Sequence, residues 1–139
     1  MKFLHSMIRV KDLNRALHFF IDQLGLIEIK RSEYPSGKFT LIFLATAIGE
    51  PEIELTYNWD MEEEYSVGKN FGHIAFEVDD IYATCTRLMK NGVIINRPPR
   101  DGYMAFIKSP DNQSIELLQR GTPLVSQLPW CDMQNTGTW

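Results

Sequence analysis

The chain has 139 residues, with 14 Lys and Arg against 18 Asp and Glu, a net charge of -4 and 44% hydrophobic residues. The acidic balance argues against a nucleic-acid footprint, and no apolar run approaches the roughly 18 residues of a membrane span. The length suits one ordinary domain whose core needs no covalent staples, and two cysteines, Cys85 and Cys131, cannot make a disulfide framework. With no signal-like apolar run after Met1, a reduced, cytoplasmic protein is expected.

In chain order, a strand begins at His5 and runs into a helical pattern in which Leu13, Ala16, Leu17, Phe20, Ile21 and Leu24 share one face. Asp12 stands at the N-cap position and Gly25 just past the end. Residues 38–44 form a further strand, and Ile53-Glu54-Leu55 lies in a last one. The order then recurs. His5 to Leu13 aligns without gaps on His73 to Ile81, an offset of 68 residues from 5 to 73. Ile81, Cys85, Leu88 and Met89 supply the second helical face, Asp80 its cap and Gly92 its stop. Residues 103–108 answer the strand at 38–44, and Ile115-Glu116-Leu117 answers the last strand. Such a repeat fixes an architecture: an α+β fold of two βαβββ modules, about 1–66 and 67–120, forming one domain. Residues 121–139 lack periodicity and read as an extended tail, with Leu124, Leu128 and Trp130 packing on the surface.

Each module opens with a histidine and carries a glutamate in its last strand: His5 with Glu54, and His73 with Glu116. If first and last strands are neighbours, each histidine and glutamate project from one face. Two modules related by a pseudo-twofold then aim two imidazoles and two carboxylates at one point, a mixed N/O set suited to a first-row divalent ion. A single histidine at a strand start is ordinarily structural, and a glutamate between apolar neighbours ordinarily faces solvent. Four such residues on matched repeat positions, using two of three histidines, are poorly explained that way. Glu52 and His18 have no repeat partner.

These residues sit within segments that carry a resemblance. His5-Ser-Met-Ile-Arg-Val, Ile53-Glu-Leu-Thr-Tyr-Asn-Trp59, Gly72-His-Ile-Ala-Phe and Ser109-Pro-Asp-Asn-Gln-Ser-Ile-Glu116-Leu resemble the glyoxalase I, or lactoylglutathione lyase, family of the vicinal oxygen chelate superfamily over roughly residues 1–120. Glu-Leu-Thr-Tyr-Asn-Trp is the most specific of them. The resemblance implies curved mixed sheets paired across a homodimer, with metal sites at the interface and one His–Glu pair from each subunit. It also implies isomerisation of the glutathione–methylglyoxal hemithioacetal to S-lactoylglutathione through an enediolate, a methylglyoxal detoxification. A metal ligated by His5, Glu54, His73 and Glu116 would stabilise the enediolate's oxygens, and Glu116 would be the base.

Arg9 shares a strand face with His5, and Asn58 with Glu54; by resemblance both hold the γ-glutamyl end of glutathione. Lys69 and Arg100, in loops, are candidates for its glycyl carboxylate. The chain has His5 at the first ligand position, where the zinc branch often has glutamine, so nickel is expected, with zinc or cobalt as alternatives. Two departures are visible: Asn112 replaces the glycine usual after Pro110-Asp111, a site where Asn tolerates positive φ, and the loop 96–103 is short. The rival readings are another vicinal oxygen chelate enzyme, an epimerase or dioxygenase, and a non-catalytic small-ligand-binding protein. A dioxygenase would use two histidines and one carboxylate on iron, and a binding protein often lacks ligands that are all present here.

Overall fold

A computed structural model describes all 139 residues, which divide into two compact units, Met1–Ser66 and Val67–Trp139. In the first, strand β1 (His5–Val10) leads to helix α1 (Leu13–Leu17) and then to β2 (Ile27–Tyr34), β3 (Phe39–Ala45) and β4 (Glu52–Asn58). In the second, β5 (His73–Val78), α2 (Ile81–Lys90), β6 (Ile95–Arg97), β7 (Met104–Lys108) and β8 (Ser114–Gln119) repeat the order. The sheets run β1-β4-β3-β2 and β5-β8-β7-β6, so each module's first and last strands are neighbours. These outer pairs are parallel and the remaining pairs antiparallel. The α+β architecture of two βαβββ modules is the one the repeat dictates.

Alternation along the strands sorts the side chains between two faces. Ile8, Val10, Ile42, Leu44, Ile53 and Leu55 point one way and are buried, while His5, Met7 and Glu54 point the other. In the second unit Ile107, Ile115 and Leu117 are buried against α2, whose Ile81, Cys85 and Leu88 face β6, β7 and β8. Burial pushes the Cys85 thiol up to about 12, so it is a packing residue and not a nucleophile. Gln119, buried at the end of β8, accepts from the Ile81 N–H at 2.9 Å and donates to the Asp79 carbonyl at 2.8 Å. One side chain thereby ties the end of the last strand to the start of the helix.

Both helices start on the caps that the sequence calls for. Asp12 accepts from the Arg15 N–H at 3.0 Å and Asp80 from the Ala83 N–H at 2.9 Å, each contributing about 1 kcal/mol. Gly25 and Gly92 close them at φ +83° and +84°. The inner face of the first helix differs from the predicted one. After Leu17 the chain enters a π-helical turn, His18–Gln23, in which the Leu24 N–H bonds to the Phe19 carbonyl at 3.0 Å. The extra residue per turn rotates the face, so Phe19 and Gln23 are buried beside Phe20, and Leu17, Ile21 and Leu24 are only half-buried. Met89, also expected inside, is 43% exposed because it lies past Leu88 on the helix flank. Asn112 adopts φ +65° in the turn before β8, as anticipated for Asn at that site.

Residues 121–139 pack with the second unit. Trp130 is buried and stacks on Tyr82 at 6.4 Å, and Leu124 is half-buried; Leu128, expected to pack, is exposed because the chain turns there to bring Trp130 inward. The loop before β7 is held by Asp101, which takes the Arg97 guanidinium at 2.8 Å and the N–H groups of Tyr103 and Met104 at 3.0 and 3.1 Å. Partial burial pushes the Asp101 carboxyl up, but these three partners outweigh it and bring it down to about 2. A depressed carboxylate stabilises the fold above its unfolded value near 4, and the benefit disappears as pH falls through the folded one. Asp101→Asn is therefore expected to lower Tm at pH 7, with a deficit that narrows between about pH 4 and pH 2 in thermal melts.

Candidate functional site

The parallel register of β1 on β4 pairs His5 with Glu52 and Met7 with Glu54. His5 is thus one diagonal step from Glu54 on the same face of the sheet. The imidazole Nε2 lies 3.0 Å from the Glu54 Oε2, with side chains 40% and 14% exposed. Two further groups fix this arrangement. Phe43, directly across from Glu54 on β3, presents itself at 81° to the His5 ring with centroids 5.6 Å apart. The Thr56 hydroxyl donates to the Glu54 Oε1 at 3.3 Å, leaving Oε2 toward the histidine.

The second unit repeats the construction at the histidine, the glutamate and the phenylalanine. The register pairs His73 with Ser114 and Ala75 with Glu116, and Phe106 lies across from Glu116 on β7. His73 Nε2 is 3.1 Å from Glu116 Oε2, and its ring meets Phe106 at 5.5 Å and 85°. Ser114 occupies the place of Glu52, which is why Glu52 has no repeat partner. One difference matters: Leu118 stands where Thr56 does, so it has no hydroxyl to offer Glu116.

These donors fit a divalent ion. Neutral imidazole and carboxylate are the N/O ligands of first-row metals, and cis ligands about 2.1 Å from one octahedral ion sit about 3.0 Å apart, the spacing of both pairs. Each pair alone supplies two ligands, and neither unit assembles three or more such side chains. Three is the usual minimum for a catalytic ion.

The remaining candidates fall in different settings. Arg9 is on the His5 face of β1, in register with Thr56. Asn58, at the end of β4, donates to the Tyr65 hydroxyl at 2.9 Å. Lys69 is exposed in the segment before β5. The Arg100 guanidinium is taken up by the tail, donating to the Met133 carbonyl and the Asn135 Oδ1 at 2.9 Å. His18 sits 2.7 Å from Asp22 and 3.1 Å from Gln23 within its own helical segment, a structural placement. A cavity of about 470 Å³ opens beside His73, walled by Val67, Phe71, Phe106, Lys108 and Trp139 among others. Phe43, Phe106, Lys108 and Trp139 are not singled out by sequence reasoning. The two phenylalanines could have been found by aligning the third strands of the repeat; Trp139 carries no such signal.

Residues 2–117 match the family described as the Glyoxalase/Bleomycin resistance protein/Dioxygenase superfamily. The chain belongs to this superfamily. Among its relatives, the lactoylglutathione lyase of Haemophilus influenzae is 44% identical over 126 residues, covering 86% of this chain and 93% of that protein. A probable lactoylglutathione lyase of Synechocystis is 42% identical over 123 residues, 84% of this chain and 93% of its own. Among solved structures, a trypanothione-dependent glyoxalase I of Leishmania major superposes with a TM-score of 0.81 at 36% identity, covering 86% of each chain. Both His–Glu pairs lie inside the region shared with the glyoxalase superfamily, whereas the tail lies beyond it.

Within this glyoxalase fold the Thr56 hydroxyl anchors the carboxylate of Glu54, a candidate ligand, at 3.3 Å. Thr56→Val, nearly isosteric, is expected to weaken divalent-ion binding about tenfold, measured by calorimetry on metal-stripped protein, with an unchanged circular dichroism spectrum.

Proposed function

We propose that the chain is a lactoylglutathione lyase, converting the hemithioacetal of methylglyoxal and glutathione into S-lactoylglutathione. The observation that carries this reading is the duplicated His–Glu pair, held at the same register and nearly the same distance in both sheets. Two half-sites of this kind call for each other. In the proposal the chain is a homodimer in which each ion is held by one pair from each subunit, so that His5, Glu54, His73 and Glu116 form the complete set. Nickel is the ion proposed, with zinc and cobalt as alternatives. When bound, the ion acts as a Lewis acid on the two vicinal oxygens of the substrate.

The chain's own residues perform the proton transfer. Glu116 takes the proton from the carbon that bears sulfur and hydroxyl and returns it to the neighbouring carbon, while the hydroxyl proton passes to the former ketone oxygen, giving the thioester and the new alcohol without net oxidation. The assignment of Glu116 over Glu54 is supported by their surroundings. A base must move between positions, and Glu54 is steadied by Thr56 while Leu118 leaves Glu116 without an equivalent tether. Arg9 and Asn58, along the sheet from His5 and Glu54, receive the charged γ-glutamyl end, where a guanidinium–carboxylate pair is the strong, oriented contact. Lys69 serves the glycyl carboxylate. Arg100 does so only by releasing the tail, so its part in this proposal is to hold the segment that borders the cavity. No helix is long and apolar enough to cross a membrane; a glutathione co-substrate and two cysteines that form no disulfide support a reducing, cytoplasmic setting for the reaction.

Metal-stripped protein assayed with the hemithioacetal at the thioester absorbance should be inactive and should recover with Ni²⁺, Co²⁺ or Zn²⁺. Glu116→Gln should then lower kcat by about a thousandfold while sedimentation still shows a dimer. Absence of metal-dependent thioester formation in the unaltered protein overturns the reading. Arg9→Ala is expected to raise KM about tenfold or more, the value of a charge-assisted contact, with kcat nearly unchanged; an unaltered KM removes Arg9 from the binding site.

A further inference from the structure

The segment 121–139 lies beyond the region matched by the family, yet it is fastened to the second unit at several points. Leu124 donates to the Gly102 carbonyl at 3.0 Å, and the approach is so close that a Cβ on Gly102 would meet the Leu124 oxygen at 2.1 Å. Gly102 also has φ +70°, so two constraints select glycine there. Trp130 buries its ring against Tyr82. Arg100 grips Met133 and Asn135. Asn96 then pairs with Thr136 in both directions, its carbonyl accepting at 2.9 Å and its amide donating at 2.8 Å. Four successive fastenings would be an odd investment for a strand of chain with nothing to deliver.

What they deliver is Trp139. Its indole stacks on Phe106 at 6.0 Å and 29°, and Phe106 is the ring whose edge rests on His73. Trp139 also lines the cavity beside His73, 42% exposed there, with Val67, Phe71 and Phe106 as its apolar neighbours. We propose that Trp139 is a specificity-determining residue, forming the wall that receives the apolar substituent of the 2-oxoaldehyde. This rests on the lyase reading above. The substrate's polar arms require charged or amide partners, of which Arg9, Asn58 and Lys69 are the candidates. Its apolar end is the group attached to the ketone carbon, next to the reacting pair of carbons and hence, in that reading, next to His73. An aromatic wall placed there limits the size of that group and rewards a small one by contact.

The prediction is a change in substrate preference. Wild type and Trp139→Ala are compared with glutathione hemithioacetals of methylglyoxal and of phenylglyoxal, loaded with the same metal, with metal content and Tm measured in parallel. Removing the indole is expected to raise the phenylglyoxal-to-methylglyoxal ratio of kcat/KM about tenfold, the discrimination typical of a few carbons in an apolar pocket. Metal content should be unchanged, and Trp139→Phe should restore most of the original preference. Asn96→Ala, which removes the amide bond to the Thr136 carbonyl but keeps the backbone one, loosens the end of the segment without entering the cavity and should shift the ratio in the same direction. A wild type inactive on both substrates overturns both readings. An active wild type whose preference is the same in Trp139→Ala and Asn96→Ala overturns this one alone.

Discussion

Everything at the site depends on one pairing constraint, the parallel register between the first and last strands of each unit. Parallel neighbours hold their side chains in phase, so a residue two positions along the partner strand is a near neighbour on the same face. That diagonal step sets His5 against Glu54 and His73 against Glu116 at almost equal distances. A slip by one residue would send either glutamate into the apolar layer with Leu55 or Leu117. The register is defended from below: Ile8, Ile53 and Leu55 in one unit and Ile107, Ile115 and Leu117 in the other are buried, and each loses its place if the strands shift. The packing of one face therefore fixes the chemistry of the other.

The repeat is also informative where it breaks. Both histidines rest on a phenylalanine edge, both glutamates lie opposite that phenylalanine, and both helices begin on a capping aspartate. Thr56 and Leu118 differ. A duplicated frame gives two equivalent glutamates, and a single hydroxyl distinguishes them: Glu54 has the Thr56 anchor, and the matching position beside Glu116 is Leu118. A second asymmetry is the segment 121–139, which adorns only the second unit and brings an indole to the Phe106 side of its pair.

Much of the candidate site is legible in the sequence because the repeat supplies an internal comparison. His5, Glu54, His73 and Glu116 stand out by matched position, and the capping aspartates and closing glycines announce themselves by local backbone chemistry. The inner face of the first helix is less legible. Its apolar residues fit a 3.6 period, but a π-helical turn adds one residue and buries Phe19 and Gln23 in place of Ile21 and Leu24. Nothing in a periodic reading signals that insertion. Arg100 reads by type and loop position as a cation for a substrate carboxylate; its partners, 33 and 35 residues later, are visible only in space.

Two modules, two matched His–Glu pairs and the capping residues of both helices are written in the sequence, because they follow from short-range periodicity, local backbone chemistry and internal alignment. Packing in three dimensions is what brings a histidine and a glutamate 49 residues apart in one unit, and 43 in the other, to about 3 Å. It also decided that an aperiodic tail ends on an aromatic ring beside one of them. The physical reason is the range of the interactions. Backbone propensity and alternation act over a few residues and are written locally, whereas strand adjacency and the seating of Trp139 arise from packing between segments that share no local pattern.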